Sequence, residues 1–293
     1  MGMSNRIGLI AGWGRYPIVV AEKLKSAGYE VYCLAIKGHA DEALYQICDK
    51  VHPVGVAKVG GHVRFFKRHG VQKATMAGKV FKTLLFEKWS WLRHFPDLTF
   101  WRYFFPQFIL KSADRKDDTL LGTYTMAFKK HGIELAPATD FAPDLLVSKT
   151  PLSKRTLTKA EQRDVDFGWK LAKQMGLLDV GQSVAIKTQA VLAIEAVEGT
   201  DECIRRAGQL CASGGFTVVK VAKPQQDMRF DVPTIGLGTL QTMSQSGASV
   251  LAVEAGQTIV IDEAEVIRYA NENRIKIVAV EESEIPLCVP EAA

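Results

Sequence analysis

The chain has 293 residues, 47% of them hydrophobic and 24% charged, with a net charge of +5. That length exceeds what one hydrophobic core ordinarily serves and predicts two domains of roughly 130 to 150 residues, with the composition of a soluble globular protein. The mild positive charge suits an anionic small molecule or an anionic membrane surface and excludes a dedicated nucleic-acid binder.

The five cysteines, Cys33, Cys48, Cys203, Cys211 and Cys288, are odd in number and form no C-x-x-C. Neither a disulfide framework nor a zinc site is expected, and a reducing cytoplasm fits. MGMSNRIGLIAG lacks the apolar core of a signal peptide. No run approaches the ~18 apolar residues of a membrane span.

In chain order, Ile7 to Ala11 is a short apolar run and Gly12-Trp13-Gly14 a turn. Ile18 to Ala27 carries helical spacing that Gly28 ends, and Val31 to Ile36 is a second strand. This is a βαβ opening. Its glycine turn is either an anion cradle of backbone N–H groups or a tight turn without a ligand. Pro17 stands where a dinucleotide fingerprint has its third glycine, and Ala35-Ile36-Lys37 offers no carboxylate for a ribose, which argues against NAD.

A third strand, Lys73 to Met76, leads into Ala77-Gly78-Lys79. Lys79 at that strand end either faces the crevice of the first glycine turn or is simply solvated. Asp117-Asp118 opens a helix that ends at Gly132, where carboxylates favour the helix dipole; the alternative is contact with a metal or a sugar hydroxyl.

Eleven of the 26 aromatic residues fall within Phe81 to Phe108, interleaved with Lys82, Lys88, Arg93 and Arg102. Such density suits a membrane interface or a greasy ligand, a dimer surface, or a core layer under a loop; lipid contact is the favoured expectation. The six histidines show no metal-ligand spacing, and no G-x-S-x-G, P-loop or H-E-x-x-H is present.

Pro137, Pro143 and Pro151 mark a junction. The expected organisation is a domain at 1–138, a linker at 139–156 and a second domain at 157–293. Thr158 and Glu161 form a capping box for a helix to about Met175. Ser183 to Ile194 predicts two strands around Lys187-Thr188-Gln189. Val197-Glu198-Gly199 is a turn, and Thr200 or Asp201 caps the helix that follows. Glycine, a hydroxyl and N–H groups at a helix start make a second possible phosphate seat. Glu195, Glu198 and Asp201 lie within reach of one Mg²⁺, or are ordinary exposed turn acids.

Val218 to Ala222 is a strand that Pro224 stops, and KPQQDMRFDVPTIGLGT follows as an irregular connection into a helix near Thr239. Lys223 and Arg229 can bind phosphate oxygens, and Asp231 can bind a metal or position water, which is the equipment of phosphoryl transfer. The alternative is a proline-stiffened loop with local ion pairs.

GLIAGWGRYP, MAGKV at 76, DDTLL at 117, EAVEGTDECIRRAG at 195 and KPQQDMRFDVPTIGLGT at 223 occur in that order. Together they resemble the bacterial UDP-2,3-diacylglucosamine pyrophosphatase family of lipid A biosynthesis, over nearly the whole chain. The resemblance implies a Mg²⁺-dependent hydrolase releasing UMP and 2,3-diacylglucosamine 1-phosphate (lipid X), with water attacking the α-phosphorus. It implies Asp231 as the essential acid and Asp227 as a supporting acid; from the residues themselves, Asp231 and Asp227 are the expected metal residues, and Arg229 and Lys223, with Asp231, the expected catalytic residues. Gly12, Gly14 and Lys79 match substrate-facing turns of the first domain; Glu198, Gly199, Thr200 and Asp201, with Thr234, match those of the second. Trp13 departs from the family's small residue, and the aromatic stretch is longer than the pattern.

The expected fold is α/β, with an N-terminal Rossmann-like parallel-sheet domain and a C-terminal α/β domain with a mixed sheet, the ligand cleft between them. Expected partners are UDP-2,3-diacylglucosamine and lipid X, the inner face of the cytoplasmic membrane as a peripheral contact, and a second copy as homodimer. Competing readings are a non-catalytic lipid-nucleotide carrier and a nicotinamide oxidoreductase.

Overall fold

The computed structural model describes residues 5–80, 96–110, 117–149 and 152–284, and only the backbone of 106–110 and 117–119. The chain forms two units, Met1–Pro143 with Met228–Phe230, and Asp144–Asp227 with Asp231–Ala293. The fold is α/β in both.

In the first unit, β1 (Arg6–Ala11), β2 (Glu30–Ile36), β3 (Lys50–Val54), β4 (Lys73–Ala77) and β5 (Glu134–Leu135) form one parallel sheet in the order β3-β2-β1-β4-β5. β1 and β2 are near-continuous apolar runs because a parallel sheet is covered on both faces. Helices α1 (Tyr16–Ser26), α2 (Leu44–Ile47), α3 (Val59–Arg68), α4 (Leu98–Leu110), α5 (Asp117–Lys130) and α6 (Ala138–Phe141) complete the unit. Gly28, at φ +85°, follows the C-cap of α1, as its position predicts. The core gathers Leu34, Phe66, Phe128 and Ile133.

Residues 81–95 of the aromatic stretch lie outside the described residues. In α4, Phe104 is buried and stacks on Phe100 with ring centroids 4.3 Å apart. Leu98, Trp101 and Phe105, spaced at three and four, form an exposed stripe. Among the described residues no helix is long and apolar enough to cross a membrane. Asp117 and Asp118 do open α5, but their side chains lie outside the described set.

His62 is fully buried on α3, its Nδ1 2.7 Å from the Tyr124 hydroxyl and its Nε2 2.9 Å from Gly55 O. The neutral ring satisfies both, accepting from Tyr124 and donating to Gly55. Burial pushes its pKa down from 6.5 to about 4. A depressed folded pKa means stability present in full above 6.5 and lost as pH falls toward 4. The shift corresponds to about 3 kcal/mol. Urea unfolding at pH 7 and pH 4 should show that loss, and His62→Gln should flatten the slope; an unchanged slope would contradict the assignment.

In the second unit, β6 (Ser183–Lys187), β7 (Ala190–Ile194), β8 (Phe216–Lys220), β10 (Ala248–Glu254) and β12 (Lys276–Val280) form a mixed sheet in the order β12-β10-β8-β6-β7. β9 (Thr234–Ile235) and β11 (Ile259–Val260) make a small parallel pair. Helices α7 (Lys159–Leu177), α8 (Thr200–Leu210), α9 (Leu237–Ser246) and α10 (Glu263–Glu272) accompany them. The Thr158–Glu161 capping box is present as predicted. The β6–β7 hairpin turns on Thr188 and Gln189, both at positive φ (48° and 60°). Buried Asp164 accepts their two N–H groups at 2.9 and 2.7 Å, which stabilises a turn that side chains rarely adopt.

Candidate functional site

The first group of residues lies at the carboxyl ends of β1 and β4. The strand order reverses there, and such a switch point leaves a crevice outside the strand ends. Gly12 and Gly78 allow the two loops to touch: a Cβ on Gly12 would stand 2.6 Å from Lys79 O, and one on Gly78 would stand 2.8 Å from Trp13 O. The approach is sealed by Gly12 N–H donating to Ala77 O (2.8 Å), Trp13 N–H to Lys79 O (2.8 Å) and Lys79 N–H to Trp13 O (3.0 Å). The expected anion cradle is therefore corrected at Gly12 and Trp13, whose amides the β4 loop consumes. Gly14, at φ +105°, borders open space, and the exposed Lys79 stands beside it through this bridge. Trp13 points outward, 52% exposed.

The second group lies at the carboxyl end of β8. Lys220 is buried there, its Nζ donating to Thr200 Oγ1 (3.2 Å) and Thr234 O (3.0 Å). Thr200 Oγ1 donates in turn to Glu195 Oε1 (3.1 Å) and lies 3.3 Å from Ser183 Oγ. With its one hydrogen given to Glu195, the Thr200 hydroxyl accepts from both Lys220 and Ser183 and is saturated. This hydroxyl, expected at a phosphate seat, is here turned to these three side chains. The other oxygen of Glu195, Oε2, is buried without a hydrogen-bond partner among the described residues.

The cap of α8 is Gly199, at φ +84°, rather than Thr200 or Asp201, and no side chain accepts from the helix start. A Cβ at Gly199 would meet nothing within 4 Å. α9 begins in the same way at Gly236, again without a side-chain cap. The two helices pack so closely that a Cβ on Gly208 would lie 2.6 Å from Ser246 O, near both C-terminal ends. With Lys220 joining Thr200 to Thr234 at the other ends, the helices run side by side in one direction. Their positive dipole ends are adjacent and favour an anion.

Glu198 does not join Glu195 and Asp201 in a cation site. It pairs with Arg206, which also donates to Ile194 O (2.8 Å); a hydrogen bond from its own backbone lowers the Glu198 pKa first, and the Arg206 guanidinium lowers it further. Among the described residues no three His, Cys, Asp or Glu side chains gather to hold a metal ion.

The segment after β8 is anchored at its start. Glu254, buried on β10, accepts from Ala222 N (2.7 Å) and from Lys173 Nζ (2.7 and 2.9 Å). Lys223 Nζ pairs with Asp179 Oδ1 at 2.8 Å, and Gln225 donates to Gly176 O at 3.0 Å. Lys223 thus ties the start of the loop to the end of α7. Beyond it, Asp231 N–H donates to Asp227 O at 3.1 Å, closing one turn that spaces the two aspartates four residues apart. Asp231 is exposed and Asp227 half-buried. Arg229, at the tip of that turn, stacks over Phe230 and lines a groove of about 580 Å³ with Lys73, Lys129 and Glu134. Lys73 begins β4, so this groove is at the opposite strand end from Lys79.

Residues 6–145 match the LpxI N-terminal domain and residues 148–278 the LpxI C-terminal domain. The chain belongs to the LpxI family. The UDP-2,3-diacylglucosamine pyrophosphatase LpxI of Caulobacter vibrioides is 28% identical to it over 294 residues, spanning 96% of this chain and all of that one. Among solved structures, a biotin carboxylase–βγ-ATP complex from Campylobacter jejuni overlaps 71% of this chain and 42% of its own at 11% identity, with a TM-score of 0.27, too slight a likeness to argue from.

For this LpxI-family chain, sequence reasoning missed Lys220, Ser183 and Asp179. A lysine ending an otherwise apolar strand, KVAKP after FTVV, was the available signal for Lys220. Nothing local marked Asp179 as the partner of Lys223.

Proposed function

We propose that the chain hydrolyses the pyrophosphate of UDP-2,3-diacylglucosamine to UMP and 2,3-diacylglucosamine 1-phosphate, water attacking the α-phosphorus. Membership of the family across both halves supports the reaction. The observation in the second unit that carries it is the pair of glycine-capped helix starts beside Lys220, a place where a dianionic group is favoured.

Asp231 is the acid that positions or deprotonates the attacking water, since it is exposed yet held by a backbone turn whose other end is Asp227. Arg229 carries a planar fork suited to phosphate oxygens, and Lys79, at the opposite end of β4 from the Arg229 groove, is a separate point charge of the first unit. The Gly199 N–H is spent on Ala196 O, so the amides that open α8 after Gly199 receive a phosphate, and Asp201 and Thr234 border that seat. Lys223 keeps the turn in place through Asp179.

Asp227 and Asp231 supply hard oxygen donors one turn apart, a set that fits Mg²⁺, which takes one or two carboxylates and completes its shell with water and phosphate oxygens. When bound, Mg²⁺ neutralises charge that develops on the pyrophosphate.

The test is release of UMP from UDP-2,3-diacylglucosamine in detergent, with Mg²⁺ or with EDTA. Metal-dependent release is expected. A folded protein that binds the substrate and releases nothing would replace this reading with that of a lipid-nucleotide carrier.

A further inference from the structure

We propose that Lys220 is a positioning residue for this reaction, acting through Thr200 and Thr234 to hold the Gly199 turn and the Asp231 segment at a fixed separation. The inference rests on the reading of the site given above. Lys220 lies outside both motif segments and is buried, and its Nζ donates to both: to Thr200 Oγ1 on one side and to Thr234 O on the other. Thr234 is three residues from Asp231, with Pro233 between them buried and stiff, so a shift at Thr234 is carried to the acid.

The linkage is specific in its chemistry. The Thr200 hydroxyl gives its hydrogen to Glu195 and takes one from Lys220, so each partner orients the next. Ser183, opposite Lys220 in the β6–β8 register, fills the remaining acceptor site of Thr200. Methionine at position 220 would fill the space and leave both acceptors without their donor. Valine at 200 would keep the shape and break the chain of hydrogen bonds.

A displacement of ~1 Å in a reacting group lowers turnover about 100-fold. Lys220→Met is therefore expected to lose about 100-fold in kcat with KM changed by less than about threefold. Thr200→Val should lose about tenfold and Thr200→Ser should restore most of it, because the hydroxyl rather than the methyl makes the link. Hydrogen exchange without substrate should quicken together at Gly199 and Cys203, whose N–H groups donate to Ala196 O and Gly199 O, and at Ile259, which donates to Pro233 O, in Lys220→Met and Thr200→Val. A folded Lys220→Met with kcat within twofold of wild type would overturn the proposal. So would a rise in KM alone, or Thr200→Ser as slow as Thr200→Val. If Lys220→Met does not fold, the Thr200 pair decides. An inactive wild type would count against the reaction, while the exchange experiment would still test the linkage by itself.

Discussion

Asp231→Asn is expected to lower UMP release by about 10²- to 10⁴-fold, the range for losing a positioned acid or base. It should leave urea stability within about 0.5 kcal/mol, as for exposed positions generally. The separation of the two effects follows from placement. The side chain is exposed, and the backbone N–H that closes the turn on Asp227 O is unaffected by the substitution. Asparagine keeps size and polarity but neither accepts a proton nor carries charge at neutral pH. Asp227→Asn, half-buried at the other end of the turn, should cost less turnover because it supports rather than confronts the water. Near-normal release by Asp231→Asn would remove the central assignment, and equal losses at both positions would make the two aspartates one functional unit.

The largest expected stability effect is at Lys173. Its side chain is 16% exposed and that of Glu254 7%, so the pair is largely withdrawn from water. Removing one partner of such a pair leaves a buried charge and costs about 3–5 kcal/mol, whereas replacing both costs far less. Lys173→Met should therefore lower the unfolding free energy by about 3–5 kcal/mol. Lys173→Met with Glu254→Met should recover part of that loss, though Ala222 N then lacks its acceptor. The same contact starts the 223–233 segment, so the single variant should also raise protease cleavage there. A loss below about 1 kcal/mol would mean that the pair behaves as a surface ion pair.

Local rules reached much of this protein. Alternating and continuous apolar runs, the glycine after α1 and the Thr158–Glu161 box depend on residues within a few positions of each other, and the structure has those features. The KPQQDMRFDVPTIG segment stood out because prolines, glycines and both signs of charge make no ordinary element. The functions of its charges were less legible. Lys223 and Arg229 look alike in sequence, yet one is tied to Asp179 and the other lines a groove. Thr200 looked like a cap because threonine before a helix usually is one, but Gly199 takes the cap and Thr200 turns its hydroxyl inward.

By itself, then, the sequence determined the βαβ opening, the strands before Gly78 and Pro224, the hairpin on Thr188 and Gln189 and the helix capped by Thr158, which family the motifs resemble, and that Asp227 and Asp231 share one short segment. Only the tertiary structure decided which polar groups are spent and which are offered. Pairing β6 against β8 sets Ser183 opposite Lys220, and the packing of α8 beside α9 brings Thr200 and Thr234 to the same nitrogen. Thr234 and Thr200 are 14 and 20 residues from Lys220 along the chain, and Ser183 lies further still. The physical reason is that periodicity and propensity act over a few bonds, while hydrogen-bond saturation depends on strand register and helix packing, which no single stretch encodes.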